Sequence, residues 1–442
     1  MRSARHFILL PVTLALVTLL TPGPSHAQGV DVFLNVIAGG AKKLNVVIPE
    51  FTVVAGTDSE ELSTEFPQVI RADLKFSGLF SVVAGTAPLP ADDPEKLKET
   101  WAEFRAAGAH AGLHGLLLLG REQVEAEMRL YDLTSADFQR IAAKKFTLDR
   151  SQARRLAHKI SDEVVYQFTG EPGIADTKIA AVGTGSGTKE LYVMDYDGFG
   201  LTRLTMTDSI NLSPSWSPDA RSVAFTSFMW GYPYLFRLFA FERRPVQLLA
   251  GFAGLNSSPA WSPDGKFVAT TLTKDGNPDI YTLNVATGTL GRLTRHWGID
   301  TDPSWSPTGR ELAFASERAG AAQIFIMDAE GTNVRRLTRA GGFNTQPRWS
   351  PKGDVIVYTS RQGGTHDLWA INVDGSNLRR LTFGVGSNES AAWAPNGRHL
   401  VFQSNRLGTW QLFTVLADGS NQRRLTRKAG EFTSPSWSAR FP

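Results

Sequence analysis

The chain has 442 residues, with 46 basic side chains against 43 acidic ones, and no cysteine. That length suits two domains rather than one, and the near balance of charge excludes the concentrated basic face of a nucleic-acid binder. The missing cysteines exclude disulfides, thiolate metal sites and thiol catalysis.

The first 27 residues read as a leader. Arg2 and Arg5 form a short basic start, and "FILLPVTLALVTLL" follows as an apolar run of 14 residues. A membrane span needs ~20. Small residues at Ser25 and Ala27 suit cleavage after Ala27, so a secretory signal peptide is expected over residues 1–27. Without the leader's two arginines the net charge falls from +3 to +1. No later apolar run reaches spanning length, so the mature chain is expected to be soluble, with no transmembrane segment.

Residues 28–170 read as a compact α/β domain. "KKLNVVIPEF" predicts a strand. "TEFPQVIRADLKFSG" predicts a helix with Phe66, Ile70 and Leu74 on one face and Gly78 behind it. "LFSVV" predicts a second strand. In "DDPEKLKETWAEFRAAG", Asp93 is the expected N-cap, Pro94 fits the first turn, and Leu97, Trp101 and Phe104 make the apolar stripe. "HGLLLLG", "EAEMRLYDL" and "QRIAAKKFTL" predict three more strands. Ser151 is the expected cap of a last helix ending near Phe168. His110 and His114 stand four apart but lack a third metal ligand, and a structural role is expected for both. Residues 171–177 read as a linker.

From residue 178 the chain repeats. Trp216, Trp261, Trp305, Trp349, Trp393 and Trp437 recur every 44 or 45 residues, and Leu204, Leu248, Leu293, Leu337, Leu381 and Leu425 keep step, mostly inside "RLT". Turns such as "DYDG" and "DAEG" form a third register. A strand-rich unit of this period, punctuated by turns, marks a β-propeller blade. Within residues 257–296, "SSPAWS", "KFVATTL", "DIYTLNV" and "TLGRLTR" are four strands; Pro and Gly265 shape the first turn. A Trp needed in every blade is read as a wedge between neighbours. "GTGSG" at 183–187 lacks the Lys-Ser and helix of a phosphate loop and reads as a hairpin turn. The first "RLT" has no Trp strand before it, and "TSPSWSARFP" at the end supplies one. Residues 178–442 therefore read as six four-stranded blades, with the last strand closing blade one and leaving no open seam. Residues 229–249 are aromatic-rich and lack the Asp-Gly turn, so blade two is expected to differ at its rim.

The order of parts resembles the TolB family of periplasmic propeller proteins of the Tol-Pal envelope system. The resemblance rests on "VIRADLKFSGLFSVV", "SDEVVYQFTGEPGIADTKIAAV", "LYVMDYDG" and the "PSWSPDG"-type repeats. It implies a periplasmic adaptor without catalysis or cofactor. The partners it implies are the lipoprotein Pal and the inner-membrane protein TolA, with peripheral attachment to the outer membrane through Pal. The implied role is outer-membrane integrity and envelope constriction in cell division.

Two segments are the candidate contacts. The connections that precede each inner strand are expected to converge at one channel mouth and to offer Asn211, Asn256, Asp300, Thr301, Asn344, Thr345, Asn388, Glu389 and Phe432 to a partner. The resemblance favours Asn256 and Thr301 in particular. At the mature N-terminus, Val30, Val32, Phe33 and Leu34 precede a Gly-Gly pair. They read either as a first strand or, by resemblance, as a strap that adds a strand to TolA. The alternative function is a stand-alone propeller hydrolase or lyase. Its carboxylates would come from several blades, with Asp300, Asp302 and Glu389 as candidates. No Gly-x-Ser-x-Gly elbow occurs to support a peptidase.

Overall fold

The computed structural model describes residues 43–441 apart from 86 and 385. The expected leader and the N-terminal segment with Val30, Val32, Phe33 and Leu34 lie outside the described residues.

The N-terminal domain is a mixed sheet with helices. Its strands are β1 (Leu44–Val47), β2 (Thr52–Gly56), β3 (Phe80–Val83), β4 (Ala111–Leu119), β5 (Gln123–Asp132) and β6 (Arg140–Asp149); its helices are α1 (Leu62–Phe76), α2 (Pro94–Ala106) and α3 (Ala153–Thr169). The sheet runs β3-β1-β4-β5-β6, with β2 also paired to β4. The meander β4-β5-β6 is antiparallel, and β1 pairs in parallel with β3 and β4. The apolar stripes of α1 and α3 (Phe66, Ile70, Leu74; Leu156, Ile160, Val164) fill one core against the sheet. Asp93 caps α2, its side chain accepting the Lys96 amide at 3.1 Å. Ser151 does not cap α3. A short 3₁₀ turn, Arg150–Gln152, leads directly into that helix and leaves Gln152 at the cap position without a side-chain bond.

The second domain is a six-bladed propeller. Five blades are consecutive four-stranded sheets, and the remaining sheet joins Phe432–Trp437 to Lys178–Gly183, Glu190–Asp195 and Thr202–Arg203. The closing strand lies inside Lys178–Gly183, with Thr433 opposite Val182 and Trp437 opposite Ile179. Blade one is thus closed by the chain's last strand, and no sheet edge is left at the seam.

The repeated residues hold the ring together. The indoles of Trp261, Trp305 and Trp393 donate to the Ser215, Ala260 and Arg348 carbonyls of the preceding blade at 3.0–3.2 Å. The Thr of each regular "RLT" accepts a backbone amide near the start of the third strand, as Thr338 does from Ile324 and Thr382 from Leu368. Each inner strand carries one bulge. Its first extra residue is left-handed in every blade: Ser213, Ser258, Asp302, Gln346, Ser390 and Ser434 have φ of 49–54°. A bulge re-aims side chains, and here it turns them toward the channel.

The inner strands run from a mouth end, near their first residues, to a Trp end. The N-terminal domain docks at the Trp end. Asp73 of α1 accepts hydrogen bonds from His158 and Ser161 of α3 and from Tyr196 of blade one, at 2.6–2.8 Å. Burial pulls the His158 imidazole down, and the Asp73 carboxylate outweighs that, leaving it above its ordinary value. Arg154–Asp197, Lys352–Glu171 and the Phe76 ring stacked on His399 complete the junction.

Candidate functional site: the propeller mouth

The mouth is built by two kinds of connection. One joins the outer strand of a blade to the inner strand of the next. The other joins the second and third strands within a blade. Both kinds lie at the end opposite the docked N-terminal domain. The blades beneath are hydrogen-bonded sheets with buried cores, so these connections sit on a rigid base.

Six of the residues expected to meet a partner here do not face outward. Asn211, Asn256, Asp300, Asn344 and Asn388 are fully buried, and Phe432 is almost so. The reason is a recurrent clasp between blades. In blade five, Asp367 Oδ1 accepts from Thr382 Oγ1 at 2.8 Å and from Asn388 Nδ2 of the next blade at 2.9 Å, while Arg380 donates to its other oxygen at 2.5 Å. Gln323 plays the same part for Thr338 and Asn344, and Glu190 for Thr205 and Asn211. Asp300 takes the Asn position and is held by Arg318 at 2.9 Å. Burial pushes the Asp300 carboxyl up, and Ser316 and Arg318 pull it back. In blade two the clasp is absent, and Asn256 binds the backbone of Phe252 and Gly254 instead. A buried amide costs free energy unless it is paired. Each of these polar side chains makes at least one hydrogen bond inside the ring, so they position the connections and do not present themselves.

The other three expected residues each follow a clasp position by one residue. Thr301, Thr345 and Glu389 are half-buried. Glu389 faces His366 at 3.1 Å and Gln403 at 3.4 Å. The carboxylates of the enzyme alternative do not converge: Asp300 is tied to Arg318, Asp302 accepts from Ser258 at 2.9 Å, and Glu389 from His366 and Gln403. Among the described residues no group of three or more His, Asp or Glu could hold a metal ion. His114 is buried with neither ring nitrogen bonded, and burial pulls its pKa down to about 4.

The mouth also exposes large apolar side chains, and the repeat pattern does not reveal most of them. Met206, Trp230, Tyr232, Trp297, Phe383 and Leu407 are 56–77% exposed, and all stand on mouth connections. Phe343 and Ile299 add to them at about 40%. Large apolar side chains gathered on one end of a domain mark an interaction face. Trp297 and Phe343 stand out in the sequence as aromatics in the converging segments, and Trp230 and Tyr232 fall in the aromatic-rich stretch 229–249. Met206, Phe383 and Leu407 occupy positions in the connections where the repeat keeps no fixed residue type.

Two family models cover most of the chain: the TolB amino-terminal domain over residues 32–138 and the TolB beta propeller domain over residues 165–441. The chain belongs to the TolB family. It is similar to the Tol-Pal system protein TolB of Geobacter sulfurreducens, 40% identical over 223 residues, or half of either chain. The counterpart in Desulfosudis oleivorans is 36% identical over 262 residues, 58% of either chain. The match thus spans about half the length of these curated relatives. The crystal structure of TolB from Acinetobacter baumannii superimposes with a TM-score of 0.77 at 25% identity, over 90% of this chain and 96% of that one. The α/β domain followed by a six-bladed propeller is therefore the TolB arrangement.

Proposed function

We propose that this chain is a non-catalytic periplasmic adaptor of the Tol-Pal system. Its propeller mouth binds the Pal lipoprotein, which holds it peripherally at the outer membrane. Its N-terminal segment, with Val30, Val32, Phe33 and Leu34, contacts TolA. Together these contacts serve outer-membrane integrity and constriction at division. The observation that carries the reading is the apolar rim at the mouth, on a rigid base opposite the docked domain. Three further features support it: family membership, the leader-like first 27 residues, and the lack of any helix among the described residues long and apolar enough to cross a membrane.

The contact residues shift from the buried clasp to the rim. Thr301, Thr345 and Glu389 remain contacts beside Trp297, Phe343 and Phe383, whereas Asn256 becomes a probe of stability. An aromatic hot spot costs ~2 kcal/mol or more when lost, about thirtyfold in affinity. Trp297→Glu with Phe383→Glu is expected to weaken binding of purified Pal at least thirtyfold by calorimetry and to leave the melting temperature unchanged. Wild-type affinity in that double variant refutes the mouth as the Pal site.

A further inference from the structure

The propeller channel contains a cavity of about 440 Å³ toward the Trp end, lined by propeller residues alone. Its size falls within the range of small-molecule pockets, ~300–1,000 Å³. Its wall has two zones. Inner-strand hydroxyls such as Ser258 and Ser434 form the polar one. Prolines of the first turns, such as Pro263 and Pro307, form an apolar collar next to the half-buried indoles of Trp261 and Trp305.

Arg348 breaks the symmetry of this wall. The matching positions in the other blades are Ser215, Ala260, Ser304, Ala392 and Ser436. Arg348 is the one basic residue among those lining the cavity, and Asp302 the one acidic residue. A guanidinium carries five N–H donors in a planar fork, and here one nitrogen is engaged, Nη1 donating to the Pro347 carbonyl at 2.9 Å. No carboxylate of the described residues lies within ion-pair distance of it, although Asp302 is near enough to act through its field. Asp302 is already occupied by the Ser258 hydroxyl at 2.9 Å. Arg348 is half-buried in the cavity wall and has no ion-pair partner among the described residues, and the free edge of its fork matches a carboxylate.

We propose that this cavity binds a small organic carboxylate, with the anionic head on Arg348 and the apolar body against the proline and tryptophan collar. Asp302 opposes multiply charged anions, which favours a monoanion over phosphate. The site is distinct from the mouth and does not depend on the adaptor reading.

The test is calorimetric titration of the mature chain with benzoate and, separately, with inorganic phosphate. Benzoate is expected to bind saturably at one site and phosphate at least about tenfold more weakly. Arg348→Ser gives blade five the residue that blades two, four and one carry at this position, so folding is expected to survive. It is expected to weaken benzoate at least about tenfold, the scale of one charge-assisted hydrogen bond. Arg348→Lys keeps the charge without the fork and falls between. Asp302→Asn removes the opposing charge and tightens binding. Unchanged benzoate affinity in Arg348→Ser, phosphate binding as tight as benzoate, weaker binding in Asp302→Asn, or no saturable binding overturns the proposal.

Discussion

Trp437→Ala tests the closure of the ring directly. Trp437 is 7% exposed and packs among Ile174, Ile179, Met194 and Tyr196, at the seam between the last strand, blade one and the linker. Its indole donates to Thr177 Oγ1 at 2.8 Å. Truncating a buried Trp to Ala costs ~3–5 kcal/mol, and the lost hydrogen bond adds ~1. Thr177 stays satisfied because its hydroxyl donates to the Ile174 carbonyl at 2.6 Å, so no further penalty arises there. The expected loss is roughly 4–6 kcal/mol, a large share of the ~5–15 that a folded protein has in total. Trp297→Ala, at 77% exposure, is the matched control and is expected to stay within ~0.5 kcal/mol. Urea unfolding followed by circular dichroism gives both numbers. Hydrogen exchange on Trp437→Ala is expected to lose protection first in Lys178–Gly183 and Phe432–Trp437, the paired seam strands. A loss below ~1 kcal/mol, or protection lost first in another blade, refutes the seam as the point on which the ring depends.

The clasp between blades predicts that Asp367→Ala costs ~3 kcal/mol, because it orphans Asn388 and Thr382 inside the ring. Asp367→Gln, the residue type found at the matching Gln323 and Gln411, is expected to recover most of that in the same urea assay. Asp162 is half-buried and accepts the Ala175 and Asp176 amides, yet its desolvation pushes its pKa up to about 7 from 3.8. The folded state then holds a proton that the unfolded state releases, so this group's stabilisation is present below about pH 4 and is lost as pH rises to about 7. The loss reaches about 4 kcal/mol at most. Asp162→Asn is expected to flatten that fall in melting temperature between pH 5 and pH 8, and an unchanged slope contradicts it.

The fold was legible because a propeller must solve the same packing problem in every blade. Trp216 and its five successors, the "RLT" threonines and the turn glycines each answer one recurring demand, so they recur at the blade period. Strand β2 escaped because Thr52–Gly56 is short, mostly exposed and without alternation. The asparagines were misread for a physical reason. A polar residue just after a loop looks like surface, and its burial becomes intelligible only once its partner is known. That partner has a register of its own: Asp279, Gln323, Asp367 and Gln411 stand 44 residues apart. In blades four and five the acceptor lies 15 residues before its threonine and 21 before its asparagine. A fixed polar triplet of this kind signals a buried network rather than a binding surface.

Repetition itself therefore separates the two kinds of residue in this molecule. A side chain required six times serves the ring, because no single partner presents a sixfold surface to an irregular set of loops. A side chain that breaks the register is free of that duty. Trp230, Tyr232 and Phe383 break it at the mouth, and Arg348 breaks it inside the channel. The bulge residues show the boundary between the two: all six share one left-handed backbone, but four are serine while Asp302 and Gln346 differ. The backbone there belongs to the fold. The two departures sit on adjacent blades, and Gln346 shares its inner strand with Arg348. The chemistry that distinguishes this propeller from a symmetric one is thus concentrated on blades four and five of its channel and on the aromatic connections of its mouth.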